Sequence, residues 1–161
     1  MMTMRPLAAL GLLLMIVAIA TAWGFELFGG YTPCPLCLQQ RIPYYVAIPV
    51  AILGLLAVSS VPRLGRLLLF VAAVAIFVAT ALGVYHAGVE WAWWQGPNTC
   101  GGSTAVLDAG NLLKELEETH FISCQEAAGR FLGLSFAGWN AAGSFVAGLL
   151  LLLASFAPRA R

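Results

Sequence analysis

Residues 7–25 contain no charged side chain, and neither do residues 67–85 or 131–157. A helix rises 1.5 Å per residue, so each run is long enough to cross the ~30 Å hydrocarbon layer of a bilayer. A fourth run, 42–58, is borderline in length and carries Pro43 and Pro49. Pro49 removes a backbone hydrogen bond, which predicts a bend near Tyr45 of a kind that membrane helices tolerate. Charged residues make up 9% of the chain, against roughly 25% in soluble domains, and hydrophobic residues make up 61%. Those proportions exclude a water-soluble globular domain and a disordered chain. A net charge of +1 leaves no basic surface for nucleic acid. The expected fold is an all-α membrane protein, a bundle of four transmembrane helices in a single domain spanning 1–161. The spans are expected at about 7–25, 42–58, 67–85 and 137–157, with outward loops at about 26–41 and 86–136.

Charge placement predicts the orientation. Arg5, Arg63, Arg66, Arg159 and Arg161 fall on one side, which carries no acid. All seven acids fall on the other, together with Arg41, Lys114 and Arg130. By the positive-inside rule both termini are cytoplasmic and the two longer loops face outward. The tyrosines and tryptophans (Trp23, Tyr31, Tyr44, Tyr45, Tyr85, Trp91, Trp93, Trp94 and Trp139) lie at or near the outer ends. There they are expected to form an interfacial belt. Arg5, the first apolar run and Ala20-Thr21-Ala22 also resemble a secretory signal with a small-residue cleavage site. Cleavage would leave three helices with unchanged loop orientation. Four spans are preferred, because the run exceeds a usual signal core and a fourth helix helps to enclose polar groups.

In the second loop Val106, Ala109, Leu112, Leu113 and Leu116 recur at helical spacing, with Lys114, Glu115, Glu117 and Glu118 mainly opposite. This predicts a short amphipathic helix, with Ser103 or Thr104 as its cap, lying along the membrane surface or packed on the bundle. In the last span, Gly143 with Ala147 and Ser144 with Gly148 have the small-xxx-small spacing of a packing seam. Asn140 is expected to bond to a neighbouring helix.

Cys34, Cys37, Cys100 and Cys124 are the only cysteines, and all fall in the outward segments. A structural disulfide framework is one reading in an oxidising compartment. Against it, a Cys-x-x-Cys bridge closes a very small loop and removes little unfolded-state entropy, so it makes a poor staple. The same adjacency suits redox cycling, since the resolving thiol is at hand. A zinc site is a third reading, but the spacing C-x2-C-x62-C-x23-C lacks the second close pair of a zinc ribbon. Pro35 fits the first position of a helix and Cys34 its cap, which sets both sulfurs at a helix N-terminus. Arg41 lies four residues beyond Cys37 on the same face, where a cation favours a thiolate. With Gln39 and Gln40 before it, Arg41 has no acid close in sequence, leaving its field for a thiolate or an anionic reduced cofactor. Cys100 sits in Pro97-Asn98-Thr99-Cys100-Gly101-Gly102, where the glycines strip bulk from a disulfide presented to a second protein. Cys124 is its candidate partner. The chain has no haem, flavin or iron–sulfur signature, so a relay of thiol–disulfide exchange needs another acceptor in the membrane.

Taken together, Cys34-Pro35-Leu36-Cys37-Leu38-Gln39-Gln40-Arg41 opening the second span, Cys100 and Cys124 in a long second loop, and Phe131-Leu132-Gly133-Leu134 before the last span resemble the DsbB family. These are bacterial inner-membrane thiol oxidases that reduce quinone. The resemblance implies that a periplasmic thioredoxin-fold protein like DsbA is reoxidised through Cys100, which forms the mixed disulfide. Cys124 is then the mate of Cys100 and engages Cys34. Cys37 stands next to a ubiquinone or menaquinone ring, where its thiolate gives up electrons, and Arg41 supports quinone binding. His86 matches a family histidine near the quinone more loosely, an interfacial hydrogen-bonding role being the alternative; His120 reads as a loop residue. No metal is implied. The competing functions are a structural membrane protein with stapled loops, and a relative of the vitamin K epoxide reductase type. In the latter the Cys-x-x-Cys lies late in the chain, whereas here it precedes the second span.

Overall fold

A computed structural model describes residues 3–97, 124–127 and 129–158. Its four long helices are α1 (Met4–Leu27), α2 (Pro35–Ser60), α3 (Pro62–Glu90) and α4 (Phe136–Phe156). All four are long and apolar enough to cross a membrane, which makes this a multi-pass membrane protein. Each of the first three extends beyond its apolar run. The added turns of α2 and α3 contain Cys37, Gln40, Arg41, His86 and Glu90, polar groups that hydropathy assigns to the loops. α2 continues through Pro43 and Pro49 as one helix. The amphipathic stretch at 106–116, together with Cys100 and His120, lies outside the described residues.

Around the bundle α2 packs on α3, α3 on α4 and α4 on α1, while α1 and α2 touch least. The Met4 amide donates to the Pro158 carbonyl at 3.1 Å, so the start of α1 and the segment leaving α4 sit at one end of the bundle. Val61 alone separates α2 from α3 at that end. The core is built of small residues as much as large ones. Ala47 and Ala51, Ala72, Ala73 and Ala79, and Ala147 and Ala154 are all buried. Without a hydrophobic drive between helices in lipid, such residues favour association by letting backbones approach. At Gly83 a methyl group would stand 3.0 Å from the Cα of Ala141.

In α4, Ser144 and Gly148 face the core, with Gly148 against Ile76 and Phe77 and Ala147 buried beside them. Gly143 does not belong to this seam. It is exposed, and no atom lies within 4 Å of where its Cβ would be. The 100° step per residue turns it toward lipid while Ser144 turns inward. Before α4, Arg130–Phe131 pairs antiparallel with Leu134–Ser135. Leu132 (φ 51°) and Gly133 (φ 83°) both take the left-handed conformation of a two-residue hairpin turn. Ser135 then caps α4, accepting from the Gly138 amide at 3.2 Å.

Candidate functional site

Cys34 is the N-cap of α2, with extended backbone (φ −72°, ψ 163°) and Pro35 at the first helical position. Its sulfur takes the place usually held by a serine or aspartate oxygen and accepts from the Cys37 amide at 3.2 Å. That capping geometry brings the Cys37 thiol to the Cys34 sulfur, Sγ to Sγ 2.7 Å. The two are free cysteines, Cys34 buried and Cys37 half-buried. Cys124 is wholly buried and packs with Cys34, Leu36 and Val89. It is disulfide-bonded. A cystine sulfur therefore stands beside a dithiol at a helix N-terminus, the arrangement that thiol–disulfide exchange requires.

His86, on α3, is buried and puts Nε2 at 3.7 Å from the Cys34 sulfur. Its Nδ1 faces the Gln40 side-chain nitrogen at 2.7 Å. That nitrogen also donates to the Leu36 carbonyl at 3.3 Å, which fixes which way round the Gln40 amide lies. Gln40 Oε1 in turn accepts from Asn140 Nδ2 at 2.7 Å, and Asn140 Oδ1 accepts from the Tyr44 hydroxyl at 2.7 Å. The chain of donors leaves Nδ1 of His86 only the role of acceptor. In the neutral ring the proton is then on Nε2, pointing at the cysteines. The two sulfurs and a His86 nitrogen lie within 4.8 Å of one another. The Nε2–H turned toward the sulfurs makes this a hydrogen-bonded cluster.

The Cys34 thiol is held well below the usual thiol range. The hydrogen bond from the Cys37 thiol is the largest cause, opposed by burial and reinforced by the bond from His86. Cys37 also opens onto a cavity of about 270 Å³ at the loose α1–α2 seam. Ala18, Ala22 and Ala137 give it flat apolar walls, while Gln40, Arg41 and His86 supply polar groups. Phe25, Tyr31 and Phe136, with ring centroids 4.7–5.8 Å apart, line its upper part.

Five of the six residues singled out in the sequence, Cys34, Cys37, Arg41, His86 and Cys124, thus gather at one end of the bundle. The sixth, Cys100, lies outside the described residues. Two expectations are corrected here. Arg41 is not free of acids: its Nη1 donates to Glu26 Oε2 at 2.5 Å, and the guanidinium lies 5.7 Å from the Trp23 ring centre. Glu26 ends α1, which antiparallel packing brings beside the start of α2. Tyr44 is no belt residue, because it is buried with its hydroxyl spent on Asn140, whereas the other eight tyrosines and tryptophans are exposed. Sequence reasoning missed Gln40, Glu26 and Glu90 as members of the site. Gln40 lies one helical turn beyond Leu36 and Cys37 and so shares their face, a signal that was open to reading.

A helical membrane bundle that sets a free dithiol at a helix cap against a buried cystine sulfur is a disulfide oxidoreductase. The profile of the family described as "Disulfide bond formation protein DsbB" matches residues 4–154. The chain belongs to the DsbB family of membrane disulfide-bond formation proteins. It is similar to a Disulfide bond formation protein B of Chromohalobacter salexigens, with 31% identity over 94% of this chain and 88% of that one. Another protein of that description, from Marinobacter nauticus, is also 31% identical, over 98% of this chain and 97% of that one. An uncharacterised protein of Rickettsia prowazekii is 28% identical over 78% of this chain and 72% of its own length. No solved structure matches the chain.

Proposed function

We propose that this protein is a bacterial inner-membrane thiol oxidase that reoxidises a periplasmic, DsbA-like thioredoxin-fold dithiol and passes the electrons to membrane quinone. Both termini are cytoplasmic in this reading and the cysteine segments periplasmic. The observation that carries it is the position of the Cys34–Cys37 pair, with the Cys124 sulfur packed behind Cys34 and Cys37 on the wall of an apolar cavity. That cavity fits a quinone head: its alanine-lined walls suit a flat ring, and Arg41 provides hydrogen-bond donors for a carbonyl oxygen that gains negative charge.

In the proposed cycle a partner thiolate attacks Cys100, and the Cys124 sulfur leaves. Cys124 then attacks Cys34 of the oxidised pair, breaking the Cys34–Cys37 bond, and Cys37 is released as the thiolate into the cavity beside Arg41. The second partner thiol closes the partner's own disulfide, Cys100 and Cys124 re-form theirs, and Cys34 and Cys37 remain reduced. A bound quinone supplies a sink for two electrons and two protons. Closing the Cys34–Cys37 bond releases that electron pair and both protons, giving partner disulfide and hydroquinone as the net products. The first turn of α2 holds the two sulfurs in contact throughout, so ring closure needs little chain rearrangement.

The test is turnover of a soluble quinone, followed by absorbance, with protein purified in detergent and a reduced thioredoxin-fold dithiol. The parent is expected to turn over, and Cys37→Ser and Cys100→Ser each to abolish turnover. Folded protein that turns over with neither ubiquinone nor menaquinone analogues would overturn the reading in favour of stapled loops.

A further inference from the structure

Glu90 ends α3 one turn beyond His86, and both side chains are only 4% exposed. Glu90 Oε1 lies 3.8 Å from His86 Nε2. Its other oxygen, Oε2, is buried and has no hydrogen-bond partner among the described residues. A buried carboxylate with one oxygen unpaired is costly, and such a group is normally paired or protonated. The same Nε2–H also faces the Cys34 sulfur at 3.7 Å. One donor thus stands between two acids, while Nδ1 on the far side of the ring is taken up by the Gln40 amide at 2.7 Å. Two anions sharing a single N–H in a buried site would repel each other.

We propose that Glu90 and Cys34 share one proton across His86 Nε2, so that the carboxyl of Glu90 is protonated whenever Cys34 is a thiolate. Transfer needs no ring flip: Nε2 gives its proton to Glu90 and takes the one on the Cys34 sulfur. Reduction of the Cys34–Cys37 disulfide by a dithiol then adds two electrons and two protons, one proton to Cys37 and one to Glu90. Reoxidation returns both protons with the electron pair. Glu90 acts through His86 and is a positioning residue for the proton. Among the described residues, the other titratable or charged groups around the site are Cys37 and Arg41 on α2, Glu26 on α1 held by Arg41, and, on the 124–127 segment, the bonded Cys124 and the exposed Glu126. From α4 the site receives the neutral amide of Asn140.

The inference rests on the proposed redox cycling of the Cys34–Cys37 pair and not on the identity of the electron acceptor. It is tested by infrared difference spectroscopy of full-length protein in detergent, reduced with a chemical dithiol and without quinone. The reduced-minus-oxidised spectrum is expected to contain the carbonyl stretch of a protonated carboxylic acid, shifted in D2O. Glu90→Gln should abolish the band, and Glu90→Asp should retain it at a shifted position. Outside the flat stretch between pH 6 and pH 8, alkylation of Cys34 should show a lower and an upper step in the parent and only one in Glu90→Gln, as for any coupled pair of acids reduced to a single one. A band that is absent from the parent, or that survives in Glu90→Gln, would overturn the proposal, and the parent measurement stands even if that variant fails to fold. Failure of the parent to turn over quinone while the Glu90 band is present would overturn the proposed acceptor alone.

Discussion

The Glu26 carboxylate at the end of α1 holds the Arg41 guanidinium of α2 at 2.5 Å across the mouth of the cavity that Cys37 lines. Arg41 is only 11% exposed and Glu26 30%, so the cation sits in a poorly hydrated place with one fixed counter-charge. The carbonyl oxygen of an incoming quinone competes with Glu26 for it. Removing the carboxylate with Glu26→Gln is therefore expected to lower the KM for quinone by roughly 3- to 10-fold, the upper figure corresponding to about 1.4 kcal/mol, with partial exposure of Glu26 screening the effect. Arg41→Glu reverses the charge and should cut quinone reduction by roughly 10- to 150-fold, since charge-assisted hydrogen bonds contribute about 1.5–3 kcal/mol. Dithiol exchange at the cysteines should survive in both. Steady-state kinetics with varied quinone check the pair, and an unchanged KM in Glu26→Gln rules out the competition.

Cys34 is a thiolate sink. Its thiol is lowered by the Cys37 thiol and by His86, and a depressed acid stays ionised until the pH falls through its depressed value. An ordinary thiol near 8.5 loses reactivity about tenfold per unit below that pH. Alkylation of Cys34 in reduced protein should instead change little between pH 8 and pH 6. Removing the strongest cause with Cys37→Ala should restore a steep decline over that range. Mass spectrometry of the modified residue follows both.

The buried polar line from Tyr44 through Asn140 and Gln40 to His86 has a donor for every acceptor. Asn140→Leu deletes two of those bonds and strands the Tyr44 hydroxyl and Gln40 Oε1. Each stranded buried group costs about 1–3 kcal/mol, so the melting temperature in detergent should drop clearly. Asn140→Asp, which keeps an acceptor for Tyr44 but offers Gln40 Oε1 no amide donor, should fall between the two.

At the other end of the bundle, Gly65 sits where a methyl group would meet Val58 Cγ2 at 2.6 Å and the Val58 backbone nitrogen at 2.7 Å. Backbone cannot step aside as a side chain tip can. Gly65→Ala is expected to cost about 1–3 kcal/mol, the usual range for overpacking, with quinone turnover at low temperature intact. Thermal unfolding and turnover measured on one preparation separate the two effects.

Much of this arrangement is written in local sequence. Charge-free runs announce four helices, and Pro35 after Cys34 announces a cap, because both depend on near neighbours alone. The extent of α2 and α3 was hidden for a physical reason: their outer turns carry Cys37, Gln40, Arg41, His86 and Glu90, and hydropathy cannot tell polar residues that face a site from polar residues in a loop. The Glu26–Arg41 pair, fifteen residues apart, and the Tyr44–Asn140 bond depend on how α1 and α4 dock on α2, which no window of one helix reveals. Gly143 was misplaced because small residues at four-residue spacing define two parallel stripes, and only packing decides which stripe meets a neighbour.

Because the sulfur of Cys34 serves as the cap of α2, the helix end and the electron count of the site are the same object. A negative sulfur accepts the Cys37 amide strongly and suits the positive end of the helix dipole; the sulfur of a disulfide is neutral and accepts weakly. Fraying of the first turn of α2 should therefore rise and fall with each turnover, and hydrogen exchange at the Cys37 amide becomes a gauge of oxidation state that needs neither substrate nor chromophore.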